Sequence, residues 1–221
     1  MPSIVVTIMA KSPRAGEVKT RLTPPLSPPD AAELYRCFLL DKIAQVRALA
    51  GAQAAIAYTP AEDRSVFQAL APGFLLLPQR GPDLGARLAD SLGQLLALGH
   101  AAAFAIDSDT PTLPPAYLAR ALDLIATPET DLVLGPSEDG GYYLIGLRTP
   151  HRELFDDMPW STSQVVPETL RRAAAKGLTV ASLPSWFDID TPEDLERLRT
   201  SLGSSPENAA RYTRQFFMER R

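Results

Sequence analysis

Cysteine occurs once in this sequence, at Cys37, which excludes an intrachain disulfide and leaves nothing that requires an oxidising compartment. Cys37 lies in the apolar run Tyr35 to Leu40 and reads as core. Histidine is nearly as scarce. Neither His100 nor His151 has a second His or a Cys at zinc-ligand spacing, so no zinc centre is expected. Positive charge is not in excess: 22 Lys and Arg stand against 26 Asp and Glu, giving a net charge of −4 and a pI near 5.3. A nucleic-acid binder normally shows a basic face, so small anionic ligands are the better expectation. No apolar stretch approaches the ~18 residues of a membrane span, and no basic segment precedes a long apolar one. Neither export nor membrane insertion is expected, and the chain reads as cytoplasmic. Internal repeats and low-complexity segments are missing too.

What is present fits one globular domain: 221 residues, 45% hydrophobic and 22% charged. Apolar runs predict strands at Ser3–Ala10, Ala52–Tyr58, Phe74–Pro78, Ala101–Ile106, Asp131–Gly135, Tyr142–Leu147 and Leu178–Leu183. Between them, start signals and apolar stripes predict helices. Ser27-Pro28-Pro29-Asp30 opens one that runs to about Leu49. Shorter ones follow at Glu62–Leu70, Asp83–Leu98 and Pro114–Ala126. Ser161 to Gln164 resembles a capping box for a helix to about Lys176, and Thr191, Pro192 and Asp194 open another to about Leu202. Strands alternating with helices argue for a mostly parallel sheet covered on both faces. Ser204-Ser205-Pro206 reads as a linker. The expected organisation is a single domain over 1–203 and a peripheral C-terminal helix over 204–221, with Phe216 and Phe217 turned to the body or a partner.

Polar groups concentrate where strands end. Ala101–Ile106 runs into Asp107-Ser108-Asp109-Thr110-Pro111, and an extended backbone turns the two carboxylates, at i and i+2, to one side. Hard oxygen ligands at a strand exit suit Mg²⁺ or Mn²⁺, which take their remaining ligands from waters and substrate phosphates; a turn before Pro111 would use the same residues. From Lys11 to Arg21, four cations and one anion fall in eleven residues, at the carboxyl end of the first strand, where open α/β sheets bind ligands. Lys11, Arg14, Lys19 and Arg21 are therefore candidate phosphate ligands, in a loop that reads as polar and mobile. Asp188 and Asp190 form a second i, i+2 pair that the start of a helix at Pro192 does not explain. Ser137-Glu138-Asp139-Gly140-Gly141 is either a plain hairpin turn or a glycine-permitted close approach to a ligand, with Glu138 and Asp139 facing it.

The order of these motifs resembles the nucleotide-diphospho-sugar transferase superfamily with the GT-A, Rossmann-like fold, over nearly the whole chain to about Leu202. Within it, Lys11-Ser12-Pro13-Arg14-Ala15-Gly16, Val18-Lys19-Thr20-Arg21-Leu22, Asp107-Ser108-Asp109-Thr110-Pro111, Glu138-Asp139-Gly140-Gly141-Tyr142-Tyr143 and Phe187 to Leu195 look most like the DUF2064, radical-SAM/selenodomain-associated transferase group. Lys19-Thr20-Arg21-Leu22, Asp109-Thr110-Pro111 and Asp190 to Leu195 also resemble, more distantly, 2-phospho-lactate guanylyltransferase and the molybdenum-cofactor guanylyltransferases. The loop has Gly16 alone where sugar-activating nucleotidyltransferases commonly carry Gly-x-Gly-Thr-Arg. The resemblance implies that Asp109 and Asp190 hold Mg²⁺ or Mn²⁺ with Asp107 assisting.

Three functions are compatible with these residues. The first is metal-dependent glycosyl transfer from a nucleotide sugar to a small-molecule acceptor, with Glu138 or Asp139 as base. The second is nucleotidyl transfer from a nucleoside triphosphate to a phosphorylated small molecule with release of pyrophosphate; it needs no base, and four cations favour it slightly. The third is a nucleotide-binding module without catalysis. Family likeness favours the first. The expected partners are a nucleotide or nucleotide sugar and an acceptor, without nucleic acid or membrane; self-association is left open.

Overall fold

The computed structural model describes residues 3–204, 206 and 209–220. One seven-stranded sheet runs through it: β1 (Ile4–Lys11), β2 (Ala52–Thr59), β3 (Leu75–Pro78), β4 (Ala102–Ile106), β5 (Leu132–Pro136), β6 (Tyr142–Leu147) and β7 (Val180–Ser182). Their spatial order is β3-β2-β1-β4-β6-β5-β7. All pairs are parallel except those made by β6, which runs antiparallel to β4 and β5. The predicted mostly parallel sheet is therefore correct.

Seven α-helices accompany it among the described residues: α1 (Pro28–Arg47), α2 (Arg64–Leu70), α3 (Leu84–Ala97), α4 (Pro115–Ala126), α5 (Val165–Ala175), α6 (Pro192–Ser204) and α7 (Arg211–Glu219). Alternate residues of the strands face opposite cores. Phe104 and Ile106 of β4 join Leu39, Ile43 and Val46 of α1, Phe67 of α2 and Leu118 and Leu122 of α4. Ala103 and Ala105 join Leu88, Leu92 and Leu95 of α3 and Ala173 of α5. Burial on both faces is why these strands read as unbroken apolar runs. Small residues let the layers close: a Cβ on Gly146 of β6 would overlap the ring of Phe104. Among the described residues no helix is long and apolar enough to cross a membrane.

A third apolar cluster lies on the outer side of α1. There Leu34, Tyr35 and Phe38 meet Leu195, Leu198 and Leu202 of α6, Phe216 of α7, and Val18 and Leu22 from the loop after β1. That loop is thus anchored rather than mobile. The C-terminal helix begins at Arg211, later than expected, and part of the 204–221 stretch, including Ser205 of the linker, lies outside the described residues. Its amino end is held by Asp41 of α1, whose carboxylate accepts from the Tyr212 and Thr213 amides, both at 2.9 Å, and from the Thr213 hydroxyl at 2.7 Å.

One start signal is corrected. Ser161 takes a left-handed φ of 61°, so no capping box forms with Gln164. Instead the Thr162 hydroxyl donates to the Pro159 carbonyl and accepts from the Gln164 amide, a local turn that delays α5 to Val165. The box before α6 does form. The Asp194 carboxylate accepts from the Thr191 amide at 2.8 Å, and the Thr191 hydroxyl accepts from the Asp194 amide at 3.3 Å.

Strand order reverses beside β1: β2 and β3 continue on one side and β4 lies on the other. Such a switch point opens a crevice at the carboxyl ends of the strands. The loops after β1 and β4 flank it, and the β5–β6 turn and the segment after β7 emerge at the same edge.

Candidate functional site

The loop after β4 is held from below by α1. The Lys42 ammonium, fully buried, donates to the Thr110 hydroxyl at 2.6 Å and the Thr110 carbonyl at 3.0 Å, and stands 3.5 Å from Asp107. The Thr110 hydroxyl in turn donates to Asp107 at 2.7 Å. Gln45 donates to the Pro111 and Leu113 carbonyls, each at 3.2 Å. A second tie runs through Tyr35, whose hydroxyl is 2.9 Å from the Ser108 hydroxyl and accepts from the Lys11 amide at 3.0 Å. The loops after β1 and β4 are thereby joined. The segment after β7 is tied in by the Ile189 amide, which donates to the Asp109 carbonyl at 3.2 Å.

These ties bring together groups far apart in sequence. The Lys19 ammonium lies between Asp109 and Asp190, 2.6 and 2.8 Å from their carboxylate oxygens. Lys19 is held there with φ 47° and ψ 39°, a left-handed conformation uncommon for a lysine. Burial disfavours its charge, but the two carboxylates more than compensate and its pKa is raised. Asp109 is correspondingly lowered: burial pushes it up and Lys19 overcomes this. Asp107, by contrast, is pushed up to about 7 by burial and by Asp109, against the pull of Lys42.

Around these groups is a cleft of about 490 Å³, whose lining includes the cations Lys11, Lys19, Arg21 and Arg87 and the carboxylates Glu17, Asp107, Asp109 and Asp190. Arg14 is not part of it. Its guanidinium pairs with Asp63 at 2.7 Å and lines a neighbouring groove of about 290 Å³ that shares Lys11 and Arg87 with the cleft. Beyond Asp107 and Asp109 is a second pocket of about 190 Å³, bounded by Asp139, Asp188, Ser137, Tyr142 and the Trp160-Ser161-Thr162 segment. Asp139 is therefore at the site and Glu138 is not. Both Glu138 oxygens are taken by Arg197 at 2.6 and 2.8 Å, which holds its pKa below the usual carboxylate range. The β5–β6 connection is a hairpin turn in which the Gly141 amide donates to Asp139.

Asp188 is pushed up to about 7 by burial and by the charges of Asp109, Asp139 and Asp190. Between the ordinary 3.8 and about 7 the folded chain holds a proton that the unfolded chain has released, so this carboxyl loses stability for the fold as pH rises through that window. Asp188→Asn is expected to raise the melting temperature by a few degrees at pH 8. The gain should shrink as pH falls and vanish near pH 3.5. A gain independent of pH, read by thermal melts across that range, would show that Asp188 does not titrate in this way.

Four residues of the site escaped the sequence reading as ligands or supports, and Arg87, one charged residue of α3 among others, carried no signal. Asp188 carried a signal, its i, i+2 spacing to Asp190. Lys42 carried a subtler one: it takes an apolar-stripe position between Leu39, Ile43 and Val46. Tyr35 carried none, being one more apolar residue of α1. A hollow of about 930 Å³ lies apart from this site beside α7, with Leu202, Phe216 and Phe217 in its wall. Its Arg199 and Arg220 are engaged by Glu196 and Asp30.

Residues 42–162, more than half of the chain, match the model of a family described as uncharacterized proteins conserved in bacteria, DUF2064. The chain belongs to the DUF2064 family. A solved structure from Desulfovibrio desulfuricans G20, assigned provisionally to the nucleotide-diphospho-sugar transferases, is 32% identical and superposes with a TM-score of 0.90 over 99% of this chain and 95% of that one. A phosphoenolpyruvate guanylyltransferase of Rubrobacter xylanophilus is 30% identical over 128 residues, 58% of this chain. The DUF2064 chain spans 62% of that relative's length in the match. The CMP:2-keto-3-deoxy-manno-octonic acid synthetase complexed with CTP shares the fold at a TM-score of 0.58 and 14% identity, over 91% of this chain and 99% of that one.

Proposed function

We propose that this DUF2064 protein is a metal-dependent transferase that moves a sugar from a nucleotide-diphosphate donor to a neutral, hydroxyl-bearing small molecule. The observation that carries this reading is the division of charge at Asp107 and Asp109. On one side lie Lys11, Lys19, Arg21 and Arg87, suited to a diphosphate. On the other, the lining contains carboxylates, hydroxyls and aromatic rings, and no Lys, Arg or His among the described residues. A phosphorylated acceptor there would face Asp139 and Asp188 as well as Asp107 and Asp109, with no cation in the lining of that pocket among the described residues to bind it, whereas a polyhydroxylated acceptor finds hydrogen-bond acceptors.

Two carboxylate oxygens, from Asp109 and Asp190, already converge on the Lys19 ammonium, a stand-in for an ion of the same charge sign. Mg²⁺ is usually held by one or two carboxylates, with waters and substrate phosphates completing its shell, so these residues fit it; Asp107 supports from beside them. A bound divalent ion supplies charge neutralisation for the departing diphosphate. Lys11, Lys19 and Arg21 bind the same phosphates. Asp139 or Asp188 takes the proton of the acceptor hydroxyl as its oxygen bonds to the anomeric carbon; the bond from that carbon to the phosphate oxygen breaks, and the nucleoside diphosphate leaves with the electron pair.

Nucleotidyl transfer is the second reading, favoured by the likeness to a guanylyltransferase. A thermal-shift panel of nucleotide-diphosphate sugars and nucleoside triphosphates, with and without Mg²⁺ or Mn²⁺, separates the two. A ligand at about a hundred times its Kd adds roughly 2.7 kcal/mol to stability, which is readily seen. Metal-dependent stabilisation by a nucleotide sugar is the expected result. Stabilisation by a triphosphate alone would move the assignment to nucleotidyl transfer.

A further inference from the structure

We propose that Lys19 is the resident counter-ion of the metal seat, so that a divalent ion enters only as Lys19 leaves Asp109 and Asp190 for the phosphates of the nucleotide. The inference rests on the reading of Asp109 and Asp190 as the metal-binding carboxylates.

Three observations carry it. The Lys19 side chain is 6% exposed and spans two loops, with Asp109 Oδ2 at 2.6 Å and Asp190 Oδ1 at 2.8 Å. Those are the oxygens an ion in the cleft would need, and an ammonium and a metal cannot both take them at contact distance. The backbone at Lys19 is left-handed, a strained state for a non-glycine residue that persists only when its surroundings impose it; the nearby Val18 and Leu22 are buried in the cluster between α1 and α6, so the turn is held independently of the two hydrogen bonds from the ammonium to the carboxylates. Charge completes the argument. Lys19 and two carboxylates sum to −1; adding a divalent ion gives +1 in a part-buried site, and a diphosphate restores the negative balance. The ion and the ammonium therefore coexist at the site with the phosphates present and compete in their absence.

Two predictions separate this exchange from a static ion pair. Without nucleotide, the wild-type chain should bind Mn²⁺ weakly, and Lys19→Met should bind it about tenfold or more tightly, because the competing cation is gone and two carboxylates face each other; Lys19→Arg should behave like wild type. With UDP or GDP added, Mn²⁺ affinity of the wild type should rise by a similar factor, and most of that coupling should be lost in Lys19→Met. The measurement is Mn²⁺ binding followed by the electron paramagnetic resonance of the free ion, with Asp109→Asn as the control for site. If Asp109→Asn abolishes binding while Lys19→Met binds Mn²⁺ no more tightly than wild type, Lys19 is a structural pair and the inference is overturned with the metal reading intact. If Asp109→Asn binds as wild type does, or no Mn²⁺ is bound with or without nucleotide, the metal reading falls and the inference with it. Should Lys19→Met not fold, acetylation of Lys19 in the wild type, quantified by mass spectrometry, gives the answer: saturating Mn²⁺ should raise its modification severalfold, and an unchanged yield overturns the exchange.

Discussion

Asp109→Asn is expected to lower transfer from a nucleotide sugar by roughly a hundred- to a thousandfold, the range seen when one pre-positioned group that stabilises transition-state charge is removed. The metal-dependent part of the thermal shift should disappear with it. Asp109 occupies the junction of both compartments: its carboxylate meets Lys19 at 2.6 Å, and its carbonyl receives the Ile189 amide from the segment after β7. Asparagine keeps the shape and the backbone contact while removing the charge. Lys19 keeps Asp190 as a partner, so the melting temperature should change far less than the activity. Unchanged turnover and an unchanged metal effect would remove Asp109 from the site in any of the transferase readings.

Lys42→Met is expected to have the largest effect on stability. The Lys42 ammonium has no exposure and serves the Thr110 carbonyl, the Thr110 hydroxyl and Asp107 together. Breaking a buried pair by removing one partner costs about 3–5 kcal/mol, on the order of 10 °C in a domain of this size. The size depends on pH in a definite direction. Burial and the neighbouring Asp109 already push Asp107 up to about 7 with Lys42 pulling it down; without Lys42 it rises further. The deficit should therefore grow as pH rises above 7, where the folded chain must ionise an unpaired buried carboxyl, and should shrink in mild acid, where Asp107 stays protonated. Asp107→Asn in the Lys42→Met background should recover part of the loss at pH 8 and little at pH 5. Chemical denaturation of the wild type, Lys42→Met and the double variant at the two pH values measures it, and an equal deficit at both would show that Asp107 is not the group left unpaired.

How much of this was legible without the structure follows from the range of the forces involved. The strands, the helices before the C-terminal segment and the alternation that makes the sheet parallel were present in local pattern, because burial on one face or two imposes a period on the chain. So were both aspartate pairs and the cationic loop, which local spacing and strand ends mark out. The false capping box at Ser161 shows the limit: Ser161 turned left-handed and Thr162 bonded to Pro159 instead, a choice made by the turn in which they sit. Arg14 and Glu138 show a second limit. Both belong to motifs in which neighbouring residues reach the site, yet Asp63 and Arg197, 49 and 59 residues away, draw them off. Charge attracts charge across the fold, and sequence spacing holds no record of the partner. By itself, then, the sequence determined the α/β class, the strand exits and the residue types gathered there. Only the tertiary structure decided that β1 and β4 would be neighbours at the switch point, that Lys19 would lie between Asp109 and Asp190, that Lys42 would be buried beneath the aspartates, and that the pocket bounded by Asp139 and Asp188 would take no Lys, Arg or His into its lining among the described residues, because each of these depends on which distant segments pack together.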